Sequence, residues 1–146
     1  ENIDHPELQS LKQVNRLIKE YGIEKGVVKT GQIEIDELVA FYNLATIYVQ
    51  PSIYEGFGLP ILQAFACGAP VVSSNKGSLV EIGGNSAVYF DPTNLKQFVS
   101  IIKELLENVS LRSKLSKLGL LQAAKFSWEK TAEDTKSVYL KAIGNV

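Results

Sequence analysis

The chain has 146 residues, 45% of them apolar and 21% charged, the balance of an ordinary globular domain. Its 15 basic side chains oppose 16 acidic ones for a net charge of −1, so it lacks the concentrated positive surface that nucleic acid demands. The single cysteine, Cys67, excludes an internal disulfide and a cysteine-based metal site, and no apolar run reaches the length of a membrane-crossing helix.

The chain opens Glu1-Asn2-Ile3-Asp4-His5, contains no Met and shows no signal peptide, which reads as a piece of a longer protein. His5 is discounted as a metal ligand or base. Leu8, Leu11, Val14, Ile18 and Tyr21 recur at helical spacing and stop at Gly22, a C-terminal cap. Val27 to Thr30 reads as a short strand closed by Gly31. Leu38, Phe41, Tyr42 and Ala45 mark the next helix, with Asp36 and Glu37 near its positive start. Thr46 to Gln50 is a strand, about Pro60 to Cys67 a helix, and Pro70 to Ser74 a strand whose apolar core suits a sheet covered on both faces.

A short helix is expected at Ser78–Ile82, and a further strand at Ala87–Phe90, ended by Asp91-Pro92. Leu95, Phe98, Val99, Ile102, Leu105 and Leu106 give the cleanest amphipathic stripe. Ser110 is expected to cap a helix carrying Leu111, Leu115 and Leu118. Ser127 is expected to cap another, with Trp128, Ala132, Thr135 and Tyr139 on one stripe. The basic sets Lys12, Arg16, Lys19 and Arg112, Lys114, Lys117 read as solvated helix faces. Alternating strands and helices predict an α/β fold, a Rossmann-like three-layer parallel sheet, in one domain spanning residues 1–146. Ligands of such sheets bind beyond the carboxyl ends of the strands.

The segment richest in chemistry lies at such an end. Pro51-Ser52 stops a strand, Glu55-Gly56-Phe57-Gly58 forms a turn, and Pro60 opens a helix. Two glycines let the backbone approach a ligand closely, and Pro60 suits the first helical position, where its missing N–H costs nothing. The free amides of the helix start can face a phosphate. Glu55 next to those amides competes with an incoming anion, a placement explained if its carboxylate accepts hydrogen bonds from ligand hydroxyls. Gln63 reads equally as a ribose or sugar contact and as a helix-surface amide. Phe57 is a lid over a ligand or a turn anchor. Lys76 reads as a solvated loop lysine, Glu81 as a cap on local amides, and Cys67 as a buried thiol. No Walker-type motif, HExxH pattern or Asp-x-Asp pair is present, so no metal and no cofactor are expected.

The ordered set Asp36-Glu37-Leu38, Phe41-Tyr42, Ala45, Pro51-Ser52, Tyr54-Glu55-Gly56-Phe57-Gly58-Leu59-Pro60, Gln63-Ala64, Ala66, Gly68-Ala69-Pro70-Val71-Val72, Glu81, Gly84 and Phe126-Ser127-Trp128 resembles the carboxyl-terminal domain of retaining GT-B glycosyltransferases. The group is that called glycosyl transferases group 1, or family 4. The resemblance runs from about Leu8 to Tyr139 and implies the carboxyl-terminal half of the GT-B fold, one reading being that its first strand and helix are missing.

The resemblance implies that this domain binds a nucleoside-diphosphate sugar, whose glycosyl group the parent enzyme, a hexosyltransferase, moves to a hydroxyl acceptor with retention. Glu55 is then the catalytic residue, holding hydroxyls of the donor sugar. The amides around Gly56, Phe57, Gly58 and Leu59 cradle sugar and diphosphate. Gln63 takes the position where the family usually carries a ribose-binding glutamate, and so forfeits charge-assisted bonds. The family's basic Arg and Lys pair, and its amino-terminal acceptor domain, fall upstream of this chain. The expected partners are therefore the donor and that domain, and the isolated piece is expected not to catalyse. The parent is expected in the cytoplasm, peripheral at the inner face of the membrane as one reading. Two alternatives stay open: a nucleotide-sugar 2-epimerase-like isomerase, and a non-catalytic sugar-nucleotide-binding module.

Overall fold

The computed structural model describes residues 6–144, with side chains from residue 11 onward. The chain divides into two compact units, Glu1–Ile33 and Glu34–Val146. The first holds α1 (Pro6–Glu20) and a 3₁₀ turn at Glu24–Gly26. Gly22, at φ +62°, ends α1 as expected: its N–H donates to Lys19 O and the Ile23 N–H to Ile18 O, each at 3.1 Å. The strand expected at Val27–Thr30 does not form. Val27 is extended (φ −114°, ψ 118°), yet the segment pairs with no strand among the described residues. β-Branched side chains supply a preference, but a strand persists only through its ladder and its packing. His5 and the side chain of Leu8 lie outside the described residues.

The second unit runs α2 (Ile35–Leu44), β1 (Tyr48–Gln50), α3 (Leu59–Ala66), β2 (Val71–Ser74), α4 (Ser78–Gly83), β3 (Ala87–Phe90), α5 (Leu95–Glu107), α6 (Val109–Ala123) and α7 (Trp128–Ala142). The strands form one parallel sheet in the order β1-β2-β3, with Tyr48 opposite Val71 and Val71 opposite Ala87. Side chains alternate across it, as the period of a strand requires. Val71, Ala87, Tyr48 and Tyr89 pack with Tyr42, Ile61, Ala64, Phe65, Leu79 and Ile82 on one face. Val72, Phe90, Val49 and Val88 pack with Phe98, Ile102, Leu105 and Leu115 on the other. Both faces are covered, which is why β2 reads as a continuous buried run.

The helix starts show where sequence signals decide and where they mislead. Glu37 accepts the Glu34 N–H at 3.1 Å at the start of α2. Ser127 caps α7 by accepting the Lys130 N–H at 3.1 Å. The cap of α6 is Asn108 and not Ser110: its Oδ1 accepts the Leu111 N–H at 2.9 Å. Asn108 also ends α5, so one residue serves both helices and α6 begins at Val109, before the Leu111 start that a serine cap implies. Gly119 lets α6 approach α3 closely, since a Cβ there would lie 2.6 Å from Phe65 Cδ1. The stripe expected on α7 is not packed. Trp128 and Tyr139 are exposed, and no residue of α7 is buried. Cys67, expected to be buried, is half-buried.

Candidate functional site

Among the described residues, the strands β1, β2 and β3 direct their carboxyl ends to one edge, at Gln50, Ser74 and Phe90. The turn Ser52–Gly58 leaves β1 there and is fastened from two sides. From the end of β2, the Ser74 hydroxyl donates to Ser52 O at 2.5 Å, and the Ser78 hydroxyl at the start of α4 donates to Glu55 O at 2.9 Å. From β1, the Gln50 side-chain amide donates to Ser52 Oγ at 2.7 Å and to Glu55 Oε1 at 2.8 Å.

Gly58 makes the bend from turn to helix. Its φ of +107° belongs to glycine, and a Cβ on it would lie 3.0 Å from Leu79 Cδ2. Of the first-turn amides of α3, Pro60 has none to offer and the Ile61 N–H closes onto Gly58 O at 3.0 Å. The N–H groups of Gly58 and Leu59 remain as the donors of the helix start.

Of the site residues expected from the sequence, Glu55 to Leu59 follow one another through this turn: Glu55 is half-buried, Gly58 is buried, and Gly56, Phe57 and Leu59 are exposed, while Gln63 is exposed on the second turn of α3. Phe57 stands edge-on to Phe126, with ring centroids 6.3 Å apart, so it has the contact of a turn anchor. Gln63 Oε1 accepts from the Tyr42 hydroxyl at 3.4 Å. Lys76 is engaged at the same edge with Asp91, 3.9 Å away. The Asp91 carboxyl is held below its ordinary range by the backbone N–H and then the hydroxyl of Thr93. Glu81, expected to cap local amides, is exposed and bonds to none among the described residues.

Sequence reasoning missed the support beneath the turn. Gln50 is buried at the end of a strand, and its Oε1 accepts from the Tyr48 hydroxyl. Tyr48 packs edge-on against Tyr42, with centroids 5.3 Å apart at 73°. Burial raises the Tyr48 phenol above its ordinary range. It raises Tyr42 as well, with the Tyr48 hydroxyl pulling the other way. The available signal was a glutamine closing an apolar strand, because a buried amide needs partners.

A three-layer parallel α/β domain with a tethered, glycine-bearing turn at the carboxyl edge of its sheet belongs to the Rossmann-like class. Comparison with known proteins narrows this. The family described as glycosyl transferases group 1 matches residues 7–140, and the chain belongs to that family. It is 38% identical over 129 residues to the serotype-specific mannosyltransferase WbdA of Escherichia coli, covering 88% of this chain and 16% of that relative.

Among solved structures, sucrose-phosphate synthase from Thermosynechococcus elongatus aligns with a TM-score of 0.83 at 28% identity, over 92% of this chain and 35% of its own. The carboxyl-terminal domain of the glycosyl transferase group 1 protein LpcC from Francisella tularensis aligns with a TM-score of 0.73 at 26% identity, over 83% and 64%. The fold is thus that of a GT-B carboxyl-terminal domain. Among the described residues, no helix is long and apolar enough to cross a membrane, and no three of His, Cys, Asp and Glu group as metal ligands do.

Proposed function

We propose that this domain binds a nucleoside-diphosphate sugar and presents its glycosyl group to a hydroxyl acceptor held by another part of a longer enzyme, with retention of configuration. The observation that carries the reading is the setting of Glu55. Its carboxylate stands half-buried at the carboxyl edge, Oε1 taken by Gln50, and no partner meets Oε2 among the described residues. A carboxylate oxygen so placed accepts from a sugar hydroxyl in a charge-assisted bond.

The N–H groups of Gly58 and Leu59, with the turn amides of Gly56 and Phe57, meet the diphosphate. Gln63, one turn into α3, meets the ribose. Catalysis rests on positioning the donor and on stabilising the departing diphosphate, with no metal assigned to either task. The chain spans 16% of WbdA, so the acceptor site and the groups neutralising the diphosphate are assigned to the remainder of the parent, and the isolated chain to donor binding without turnover. The name of that relative makes mannose the first sugar to test. It also names a transferase, which leaves an isomerase without support. A parent peripheral to the inner membrane face remains part of the proposal.

Calorimetry of this chain with UDP, GDP and ADP, each bare and carrying mannose, tests the reading. Binding of one base, strengthened by its sugar in the native chain and not in Glu55→Ala, is the expected result. Binding of none overturns it.

A further inference from the structure

Gln50 occupies an unusual place for an amide. It closes β1, is 9% exposed, and has both ends of its side chain engaged. Its Nε2 donates to Glu55 Oε1 at 2.8 Å and to Ser52 Oγ at 2.7 Å, while its Oε1 accepts from the Tyr48 hydroxyl. Tyr48 and Gln50 are two apart on a strand, so their side chains rise on the same face.

The orientation of an amide is set by its partners. The Tyr48 phenol, protonated near neutral pH as any tyrosine is, has one proton to give, and its hydroxyl lies against Gln50 Oε1. That contact turns the NH₂ group toward Glu55. The opposite orientation sets an amide oxygen against a carboxylate, oxygen to oxygen, and leaves the phenol proton without its acceptor. Tyr48 is in turn fixed edge-on by Tyr42. The direction of the hydrogen bonds therefore runs one way, from phenol to amide to carboxylate.

We propose that Gln50 is a positioning residue for the donor sugar, acting through Glu55: oriented by Tyr48, its amide occupies Oε1 of the carboxylate and fixes Oε2 toward the ligand. This role rests on the donor-binding reading of Glu55. It reaches the sugar and not the diphosphate, because the hydrogen bonds of Gln50 go to Tyr48, Ser52 and Glu55 and none to the amides of Gly58 and Leu59. Tyr48 belongs to the same arrangement one step further back, its hydroxyl reaching Glu55 through Gln50.

The test uses the chain itself in two arms. In the first, calorimetry compares GDP with GDP-mannose, and likewise the UDP and ADP pairs, for the native chain, Gln50→Leu, Tyr48→Phe, Glu55→Ala and the Gln50→Leu/Glu55→Ala double variant. Gln50→Leu is expected to lose about tenfold in affinity for the nucleotide sugar, the scale of one hydrogen bond, with affinity for the bare diphosphate unchanged. Tyr48→Phe, which keeps the ring and its packing, loses less in the same direction. The double variant is no weaker than Glu55→Ala alone.

The second arm needs no ligand: the Gln50 side-chain amide resonances, assigned by their absence in Gln50→Leu, shift in Glu55→Ala and broaden in Tyr48→Phe. Full retention of the sugar increment in Gln50→Leu, full additivity in the double variant, or Gln50 resonances indifferent to Glu55→Ala overturns the role. A native chain that binds no probe overturns the donor reading and this role with it. Native binding that depends on Glu55 but not on Gln50 overturns the role alone.

Discussion

Phe57, in the turn, meets Phe126, just before α7, with ring centroids 6.3 Å apart and planes at 84°. Edge-to-face pairs of this kind contribute ~0.5–1.5 kcal/mol, and both rings are partly exposed, which places this one at the low end. Phe126→Ala is therefore expected to lower stability to urea only slightly while loosening the turn. Broadened or shifted amide resonances at Gly56, Phe57 and Gly58, with the core unchanged, is the measurement. Unaltered turn resonances mean that Phe57 is held by other contacts.

Gly58→Ala tests the bend itself. Its φ of +107° is foreign to an L-residue, and the new methyl meets Leu79 Cδ2 at 3.0 Å. Strain of this sort costs ~1–3 kcal/mol, visible as a lower urea midpoint at unchanged m-value. Gly58→Ala combined with Leu79→Ala relieves the contact but not the backbone strain, so the pair does not return to the stability of Leu79→Ala alone.

The approach of α6 to α3 depends on Gly119. A Cβ there lies 2.6 Å from Phe65 Cδ1, and Phe65 is fully buried. Gly119→Ala overpacks this contact, at a cost of ~1–3 kcal/mol. Phe65→Leu destabilises by opening a cavity, but it gives the new methyl room. The double variant is expected to be more stable than the sum of the two losses, read by chemical denaturation.

Alkaline stability follows Tyr89. Its hydroxyl donates to Gly84 O at 2.9 Å, and burial pushes the phenol up to about 12 from an ordinary 10.0. With the folded value raised, the unfolded chain loses this proton first. Its contribution is complete below pH 10 and is lost as pH rises toward 12. Tyr89→Phe is expected to flatten the fall of stability across that window, and to lower stability near neutrality by about 1 kcal/mol through the lost hydrogen bond. Tyr48 titrates in the same direction, so some slope remains in the variant.

Much of this molecule was legible because its strands are buried on both faces and its stops are strong. Gly68-Ala69-Pro70 ends α3 and opens β2 where the sequence says, and Asp91-Pro92 closes β3. The turn from Glu55 to Gly58 was legible for the same reason, since two glycines and Pro60 admit few backbone paths. Val27–Thr30 was misread because β-branching speaks of one strand and a ladder needs two. Ser110 and Asn108 are both good caps by residue type, and the end of α5 at Asn108 decides for the latter. Gln50 was passed over since a partner arriving from Glu55 has no periodicity to reveal it. The α7 stripe shows the reverse error: spacing displays a face without saying that anything covers it.

A nucleoside-diphosphate sugar is proposed to bind at the turn Gly56–Leu59, with Glu55 beside it and Gln63 one turn on. Amide chemical-shift mapping of the isotopically labelled chain, titrated with mannose carried on GDP, UDP or ADP, tests this most directly. Saturable shifts concentrated at Gly56, Phe57, Gly58, Leu59 and the Gln63 side chain are expected, with the sugar-dependent part of them absent in Glu55→Ala. Shifts centred on another surface, such as the groove of Asn85, Leu121 and Gln122 at the opposite end of β3, or none with any of the three, contradict it.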